Sequence, residues 1–236
     1  MRRTNLIVAE VLHVLKANVG VGVTTLDLER IAEEELKKTS ARPAFKGYRG
    51  YPWCLCTSVN NEVVHGMPSK RVLNDGDIVS IDFGAFSDGF YGDSAITVPV
   101  GSVSPDAARL VKVTEESLEK AIEAAVVGNR LLDISASVQR YVESHGFSVV
   151  REFVGHGIGR ELHEAPQVPN FGLPGRGIRL KAGMVLAIEP MINMGGPDVK
   201  ILDDGWTAVT ADGSLSAHFE HTVAITDDGP YVLSML

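Results

Sequence analysis

The amino-acid sequence predicts an α+β fold, in which helices and antiparallel strand pairs occupy separate blocks of the chain. Two helical patterns come first, and a group of short apolar runs follows up to about residue 99. Two more helical patterns then precede a second group of strand-like runs. A parallel doubly wound sheet would instead require strict alternation of strands and helices. No short repeat, low-complexity tract or linker is present, so we expect a single domain over residues 1–236.

The first two helices are predicted from apolar spacing and capping residues. Apolar side chains recur at helical spacing over residues 6–16, before two glycines that end the pattern. Thr24 or Thr25 then provides a cap for a second helix that continues to Lys38.

A hairpin follows, because DIVSIDFGAF and FYGDSAITV are strand patterns separated by SDG. A turn at Ser87 and Asp88 would set Asp82 directly opposite Asp93. A turn at Asp88 and Gly89 would make the two aspartates diagonal neighbours. In both registers the carboxylates project from the same face of the hairpin, within several ångströms of each other.

Two further helices and a group of short strands are predicted after residue 103. Ser104 and Pro105 open a long helical pattern that extends to Val127, and a further helix is expected over residues 133–145. The remaining strand-like runs are VVREFV, GMVLAIEPMI, WTAVTAD and AHFEHTVAIT.

Composition excludes several classes of protein. The formal net charge of −8 argues against a surface that neutralises phosphates, so no direct nucleic-acid partner is expected. The amino terminus lacks an apolar run long enough for a signal peptide, and no segment is long enough to span a membrane. Cys54 and Cys56 are the only cysteines, which fits a reducing compartment. We therefore expect a cytoplasmic protein.

Four acidic residues lie in apolar strand patterns where burial is expected: Asp82, Asp93, Glu189 and Glu220. Like charges that meet on a half-buried face force protonation unless a cation lies between them. Four separate ion pairs with arginine or lysine are the alternative. The chain has no matching set of basic residues in comparable apolar contexts, which favours a shared metal site.

Histidines accompany these carboxylates. The segment GHGIGRELHEAP carries His156 and His163, and its glycines disfavour a helix and permit close approach of the backbone to a ligand. The GxxxxGK pattern of a phosphate-binding loop is absent. His65, in VVHGMP before a turn, is a third candidate, although a lone histidine is more often a core residue.

These motifs resemble a known family. In order, NNEVVHGMP, IDFGAFSDGFYGD, GHGIGRELHEAPQVP, GMVLAIEPM and SAHFEHTVAIT are similar to the motifs of type I methionine aminopeptidases, across nearly the whole chain. The resemblance implies the pita-bread fold, in which two pseudo-symmetric halves of helices and antiparallel strands surround a dinuclear metal site. It also implies hydrolytic removal of the first methionine from nascent polypeptides when the second residue is small.

The resemblance assigns roles to residues of this chain. It implies two divalent ions, of cobalt, manganese or iron(II), with zinc and nickel as further candidates, and five metal ligands: Asp82, Asp93, His156, Glu189 and Glu220. His65 and His163 would contact the substrate, and we expect Glu189 to carry the proton as well. The methionine pocket would be formed by Tyr48, Tyr51, Cys56 and Trp206. Leu162 departs from the phenylalanine frequent in relatives, and a monovalent cation is expected near Asn60, Glu62 and Ser216.

Two other functions remain open at this stage. Xaa-Pro peptidases share the fold but generally carry an additional amino-terminal domain, and some relatives are non-catalytic binding proteins. The expected partners are nascent amino termini and the ribosome, although no basic patch supports ribosome docking. A monomer is expected.

Overall fold

The structure, a computed structural model, describes residues 1–236 and contains four α-helices, one short 3-10 helix and fifteen strands. The helices are α1 Arg2–Asn18, α2 Thr25–Lys37, α3 Pro105–Ala124 and α4 Leu131–Ser144, and the 3-10 helix is Tyr48–Gly50. The strands of the first half are β1 Arg42–Pro43, β2 Leu55–Val59, β3 Glu62–Val64, β4 Ile78–Ser87 and β5 Phe90–Pro99. Those of the second half are β6 Ser148–Val149, β7 Gly155–Gly157, β8 Glu164–Val168, β9 Val185–Ile188, β10 Met191–Asn193, β11 Val199–Ile201, β12 Ala208–Thr210, β13 Ser216–His218, β14 Glu220–Thr226 and β15 Gly229–Val232.

An antiparallel sheet of nine strands joins the two halves of the chain. Its order is β1-β4-β5-β14-β9-β7-β8, with β2 also paired to β4 and β15 also paired to β14. The first-half hairpin meets the second half where β5 pairs with β14. Two small sheets of three strands each, β13-β10-β6 and β11-β12-β3, complete the structure. The predicted α+β fold class is confirmed.

Two hydrophobic cores lie against the sheet, one for each half. The first joins α1 and α2 to β2, β4 and β5, and the second joins α3 and α4 to β9, β13 and β14. On β4 the residues in the first core are odd-numbered, such as Ile81 and Phe83, whereas Asp82 between them is not part of it. Because side chains alternate along a strand, the apolar residues face the helices and the acidic residues face the other way.

Helices α2 and α3 begin where the sequence predicts, whereas α1 begins four residues before residue 6 and α4 begins two residues before residue 133. Thr24 caps α2 with a reciprocal pair of bonds: its hydroxyl accepts from the Asp27 amide at 3.1 Å, and the Asp27 carboxylate accepts from the Thr24 amide at 3.0 Å. Ser104 caps α3, because its hydroxyl accepts a hydrogen bond from the Ala107 amide. Helix α3 ends at Ala124, three residues before the predicted Val127. None of the four helices combines the length and apolar content needed to cross a bilayer.

Three predicted strands are interrupted. VVREFV contributes only Val149, the second residue of β6, and the chain leaves the sheet after Val150 donates its amide to the carbonyl oxygen of Met191. GMVLAIEPMI splits into β9 and β10 at Pro190, which has no amide hydrogen to donate to a neighbouring strand. AHFEHTVAIT splits into β13 and β14 at Phe219, whose amide donates to the carbonyl of Pro190. The two breaks therefore lie side by side.

The β4–β5 turn decides between the two predicted registers. Asp88 and Gly89 both have positive φ, 52° and 81°, and form the two-residue turn that matches strand twist in hairpins. Asp82 therefore pairs with Ala95 and Asp93 pairs with Gly84, so the aspartates are diagonal neighbours.

The tight packing of β7 generates a stability prediction. A methyl group at Gly155 would lie 2.4 Å from the carbonyl oxygen of Ala187 on β9, and a strand backbone cannot shift easily. We expect Gly155→Ala to lower the free energy of unfolding by about 1–3 kcal/mol, measured by denaturant titration. Gly20→Ala, where no atom lies within 4 Å, is the matched control. Equal stability of the two variants would contradict the close approach.

Candidate metal centre and substrate cavity

The register of the large sheet places the acidic residues in one row. Cys56 on β2 pairs with Asp82 on β4, Asp82 pairs with Ala95 on β5, and Ala95 pairs with Glu220 on β14. Directly paired residues of neighbouring strands project from the same face of a sheet. Glu189 follows β9 by one residue, at the position that extends the pairing of β9 with β14 to Glu220.

The same face carries the other two predicted ligands. Asp93 precedes Ala95 by two residues on β5, so the two side chains share a face. His156 on β7 pairs with Ala187, which precedes Glu189 by two residues. All five residues predicted as metal ligands are thus brought together, although they come from five different segments of the chain.

The potential ligand atoms are close and lack protein partners. One ligand atom each of Asp93, His156 and Glu220 lies within 4.8 Å of the others, and His156 Nε2 lies 3.6 Å from Glu189 Oε1. One carboxylate oxygen of Asp82, of Asp93 and of Glu220 is buried without a hydrogen bond. No lysine or arginine forms an ion pair with any of the four carboxyls, so the alternative of four separate ion pairs is wrong.

The electrostatics favour a cation at this site. Burial raises the pKa of Asp82 to about 7. The pKa values of Asp93, Glu189 and Glu220 are also raised, first by burial and then by repulsion from the neighbouring carboxylates. A divalent cation among them would compensate both effects and would fill the unused coordination of the buried oxygens. The donor set therefore fits a divalent metal.

His156 has the tautomer that a metal ligand needs. Its Nδ1 lies 2.9 Å from the carbonyl oxygen of Gly157, and because a carbonyl can only accept, Nδ1 carries the proton. The lone pair is then on Nε2, the nitrogen that faces Glu189. Burial lowers the pKa of His156, which keeps the imidazole neutral.

A cavity of about 160 Å³ opens beside these ligands. Every residue predicted for substrate binding lines it, together with the five predicted metal ligands. Its full lining is Phe45, Tyr48, Arg49, Tyr51, Cys56, His65, Asp82, Asp93, His156, Leu162, His163, Glu189, Trp206 and Glu220.

His65 and His163 line the cavity and can form hydrogen bonds. Burial lowers the pKa of His65 to about 4, and this residue has a positive φ of 60°, an unusual conformation for a side chain of its size. Desolvation and, to a lesser extent, the neighbouring His156 and Arg49 side chains lower the pKa of His163 to about 4. Nδ1 of His163 lies 2.9 Å from the Tyr48 hydroxyl, and the two rings stack. Both imidazoles are therefore neutral near neutral pH.

The opposite wall of the cavity is weakly polar. Tyr51 and Trp206 pack edge to face, with ring centroids 5.0 Å apart. The Tyr51 hydroxyl lies 3.1 Å from the carbonyl oxygen of Leu55, so its polar atom is engaged away from the cavity. Burial and the nearby Asp82 raise the pKa of the Cys56 thiol, which stays neutral. This wall suits an apolar, polarisable side chain.

The sequence did not single out four residues that the structure places at the site. Phe45 and Arg49 line the cavity, and Asn170 donates its amide to the carbonyl oxygen of Glu189 at 2.9 Å. His218 lies against Glu189, with Nε2 3.7 Å from Oε2. The HFE sequence contained a signal for His218, since this histidine precedes Glu220 by two residues.

The residues predicted near a monovalent cation lie on adjacent segments. The amide of Ser216 donates to the carbonyl oxygen of Asn60 at 2.8 Å. The Glu62 carboxylate accepts from the Val59 amide and forms an ion pair with Arg71. The cation itself stays a prediction.

A second group of acidic residues has an ordinary structural explanation. Glu29, Glu33 and Cys54 lie together between α2 and β2. The Glu29 carboxylate accepts from the amides of Cys54 and Leu55, and Glu33 pairs with Lys46 at 2.7 Å. These charges already have partners.

Comparison with known proteins gives one consistent family. The pattern of metallopeptidase family M24 matches residues 1–227. A methionine aminopeptidase of Clostridium perfringens is 59% identical over 236 residues, which is 100% of this chain and 95% of the relative. Methionine aminopeptidase 1 of Bacillus subtilis is 54% identical, with 99% and 94% covered. The crystal structure of a methionine aminopeptidase from Thermotoga maritima superposes with a TM-score of 0.99 at 50% identity, covering 100% of this chain and 95% of that one.

More distant structures share the fold alone. Prolidase from Pyrococcus horikoshii has a TM-score of 0.79 at 22% identity, and this chain covers 60% of its length. With the helices, the antiparallel sheet and the grouped metal-ligating residues, these similarities confirm the predicted pita-bread fold.

The carboxylate cluster generates a prediction about pH. Without metal, the folded-state pKa of Asp82 is about 7 against an ordinary value of 3.8, so the folded state holds this proton more tightly than the unfolded chain. The stability that the folded state gains from the protonated Asp82 carboxyl is therefore lost as pH rises from 3.8 to about 7. In excess chelator, we expect the Tm of the wild type minus that of Asp82→Asn to fall as pH rises from about 4 to about 7. Added Mn²⁺ should raise the wild-type Tm at the higher pH.

Asp88→Asn is the control for this prediction, because Asp88 is an exposed aspartate at the turn of the same hairpin. Its Tm difference from the wild type should not change in the same way. If the Tm difference between the wild type and Asp82→Asn does not change with pH, then folding does not raise the pKa of the Asp82 carboxyl.

Proposed function

The chain belongs to metallopeptidase family M24, and we propose that it removes the amino-terminal methionine from nascent proteins and peptides whose second residue is small. The observation that carries this proposal is the convergence of four unpaired carboxyls and a neutral imidazole at a weakly polar cavity. Relatives named methionine aminopeptidase, 54–59% identical to this chain, support the substrate class.

We propose that Asp82, Asp93, His156, Glu189 and Glu220 would hold two divalent ions. Four carboxylates balance the charge of two such ions, and a set dominated by oxygen ligands with one imidazole suits manganese, iron(II) or cobalt. When bound, the ions acidify a water molecule and polarise the scissile carbonyl group.

Glu189 is the proton carrier in this proposal. It takes a proton from the attacking water and delivers it to the departing amine, which requires a carboxyl that is basic enough to hold the proton between the two steps. Burial and the neighbouring Asp82 raise the pKa of Glu189 in the direction that this role needs. The hydrogen bond from Asn170 to the Glu189 carbonyl oxygen supports its backbone.

The two cavity histidines then act on the peptide group. The Tyr48 hydroxyl can donate to Nδ1 of His163, which leaves the proton on Nε2 for donation to the scissile carbonyl oxygen as negative charge develops. We propose that His65 hydrogen-bonds the peptide nitrogen next to the scissile bond. Both histidines are neutral near pH 7, so His163 can donate to the carbonyl oxygen and His65 can accept from the peptide N–H without placing a positive charge beside the metal ligands.

The methionine side chain would occupy the wall formed by Tyr48, Tyr51, Cys56 and Trp206. A thioether makes favourable contacts with aromatic rings and with a neutral thiol. Leu162, 2% exposed, stands where relatives often have phenylalanine and makes this side of the pocket aliphatic. Its position beside His163 links the shape of the pocket to the loop that carries this histidine.

We further propose that the protein acts in the cytoplasm, as a single-domain monomer, on the amino termini of nascent chains. Buried free thiols at Cys54 and Cys56 fit a reducing compartment. Docking at the ribosome would bring the enzyme to its substrate during synthesis. A monovalent cation near Asn60 and Ser216 remains part of the proposal.

The other two functions are not favoured. Xaa-Pro peptidases are related at about one fifth identity and share the fold, whereas methionine aminopeptidases are related at more than half identity over the full length. A binding protein without activity would have no need for a complete set of unpaired carboxyls in a cavity.

One assay separates these functions. We expect the purified protein with Mn²⁺ or Co²⁺ to release methionine from a Met-Ala-Ser peptide, and excess chelator to abolish release because the carboxylates alone cannot activate water. An Ala-Pro-Ser peptide is the matched control and should stay intact. Cleavage of the Ala-Pro bond alone would favour the Xaa-Pro peptidase, and no cleavage of either peptide would favour the binding protein.

Replacement of Glu189 tests the proton carrier. Glu189→Gln keeps the shape and one ligand oxygen but cannot accept the proton, so we expect kcat to fall by about 100- to 10,000-fold. Calorimetric titration with Mn²⁺ establishes that the variant still binds metal. Glu164→Gln, on the exposed edge strand β8, is the matched control. Near-native kcat in a Glu189→Gln protein that binds metal would contradict the assignment.

A further inference from the structure

His218 is a buried polar side chain that the proposed reaction does not yet use. It is 2% exposed, and its Nε2 atom is fully buried with no hydrogen-bond partner. The polar group facing that nitrogen is the Glu189 carboxylate, whose Oε2 lies 3.7 Å away. This separation is slightly longer than a hydrogen bond.

The backbone of His218 is held firmly in place. Its amide donates to the Thr97 hydroxyl at 2.9 Å, and the Thr97 hydroxyl lies 2.7 Å from the His218 carbonyl oxygen. The Ser80 hydroxyl extends this buried group, 2.8 Å from that of Thr97. The register of β13 with β10 places His218 opposite Met191, two residues after Glu189. Hydrogen bonds from two strands therefore fix where the imidazole can lie.

We propose that His218 is a positioning residue, which donates a hydrogen bond from Nε2 to Oε2 of Glu189 and so fixes the orientation of that carboxylate. This inference rests on the proposed function of Glu189. It adds a residue that contacts neither substrate nor metal and acts through the side chain of Glu189.

The geometry around Glu189 gives the carboxylate two different sides. Oε1 faces the Nε2 lone pair of His156 at 3.6 Å, which is the side open to a cation. Oε2 faces His218, which lies on β13 and is buried. A carboxylate free to rotate about its last torsion would exchange these oxygens. A donor on one side selects the orientation in which the other oxygen points into the cavity.

The test compares His218→Leu with His218→Gln. Leucine fills the space without a donor, whereas the glutamine amide can donate from nearly the position of the imidazole Nε2. With the Met-Ala-Ser peptide and Mn²⁺, we expect His218→Leu to lower kcat by about 10- to 100-fold with little change in KM. His218→Gln should recover most of the wild-type kcat. KM should stay nearly constant because His218 does not touch the substrate.

A second readout does not depend on activity. Calorimetric titration with Mn²⁺ alone should show weaker binding to His218→Leu than to the wild type, with recovery in His218→Gln. In a Glu189→Gln background, His218→Leu should have little further effect on kcat, because both changes remove the same interaction. The Tm of each variant shows whether it remains folded at the assay temperature.

Several outcomes would overturn the inference. A wild-type kcat and Mn²⁺ affinity in folded His218→Leu would show that the carboxylate needs no such donor. Equal losses in His218→Gln and His218→Leu, or a full additional loss of kcat in the Glu189→Gln background, would show that His218 acts by another route. Failure of the proposed function is distinguishable, since in that case the wild type itself would release no methionine.

Discussion

The repulsion among four carboxyls on one face of the large sheet is the constraint on which the rest of the structure depends. Burial and mutual proximity raise the pKa of each of these groups, and no basic side chain compensates them. Such an arrangement costs folding free energy in the absence of a cation. The surrounding structure must therefore be stable enough to hold it, and two separate hydrophobic cores provide that stability.

Because side chains alternate along the strands, one face of the sheet packs in the core and the other face carries the acidic residues of the site. Odd-numbered residues of β4 enter the core under α1 and α2, while Asp82 projects from the other face. On β9 the order is reversed, with Leu186 and Ile188 in the core and Ala187 on the face of the site. Small residues such as Ala95 and Ala187 separate the acidic side chains in this row and leave space among them.

The residues around the ligands divide into groups that face the cavity and groups that hold others in place. The hydroxyl of Tyr48 sets the tautomer of His163, and the carbonyl of Gly157 sets that of His156. Asn170 holds the backbone of Glu189, and His218 faces its carboxylate. In each case a neighbouring polar group favours one tautomer or one orientation of the residue that faces the cavity.

The sequence by itself determined the fold class, the helix starts at Thr24 and Ser104, and the set of acidic and histidine residues out of keeping with their apolar surroundings. These are local properties of capping, periodicity and polarity. Only the tertiary structure decided the hairpin register, the breaks at Pro190 and Phe219, and the approach of His218 and Asn170 to Glu189. These features depend on pairing between strands that are distant in the chain, and the periodicity of one strand does not specify its partner or its register.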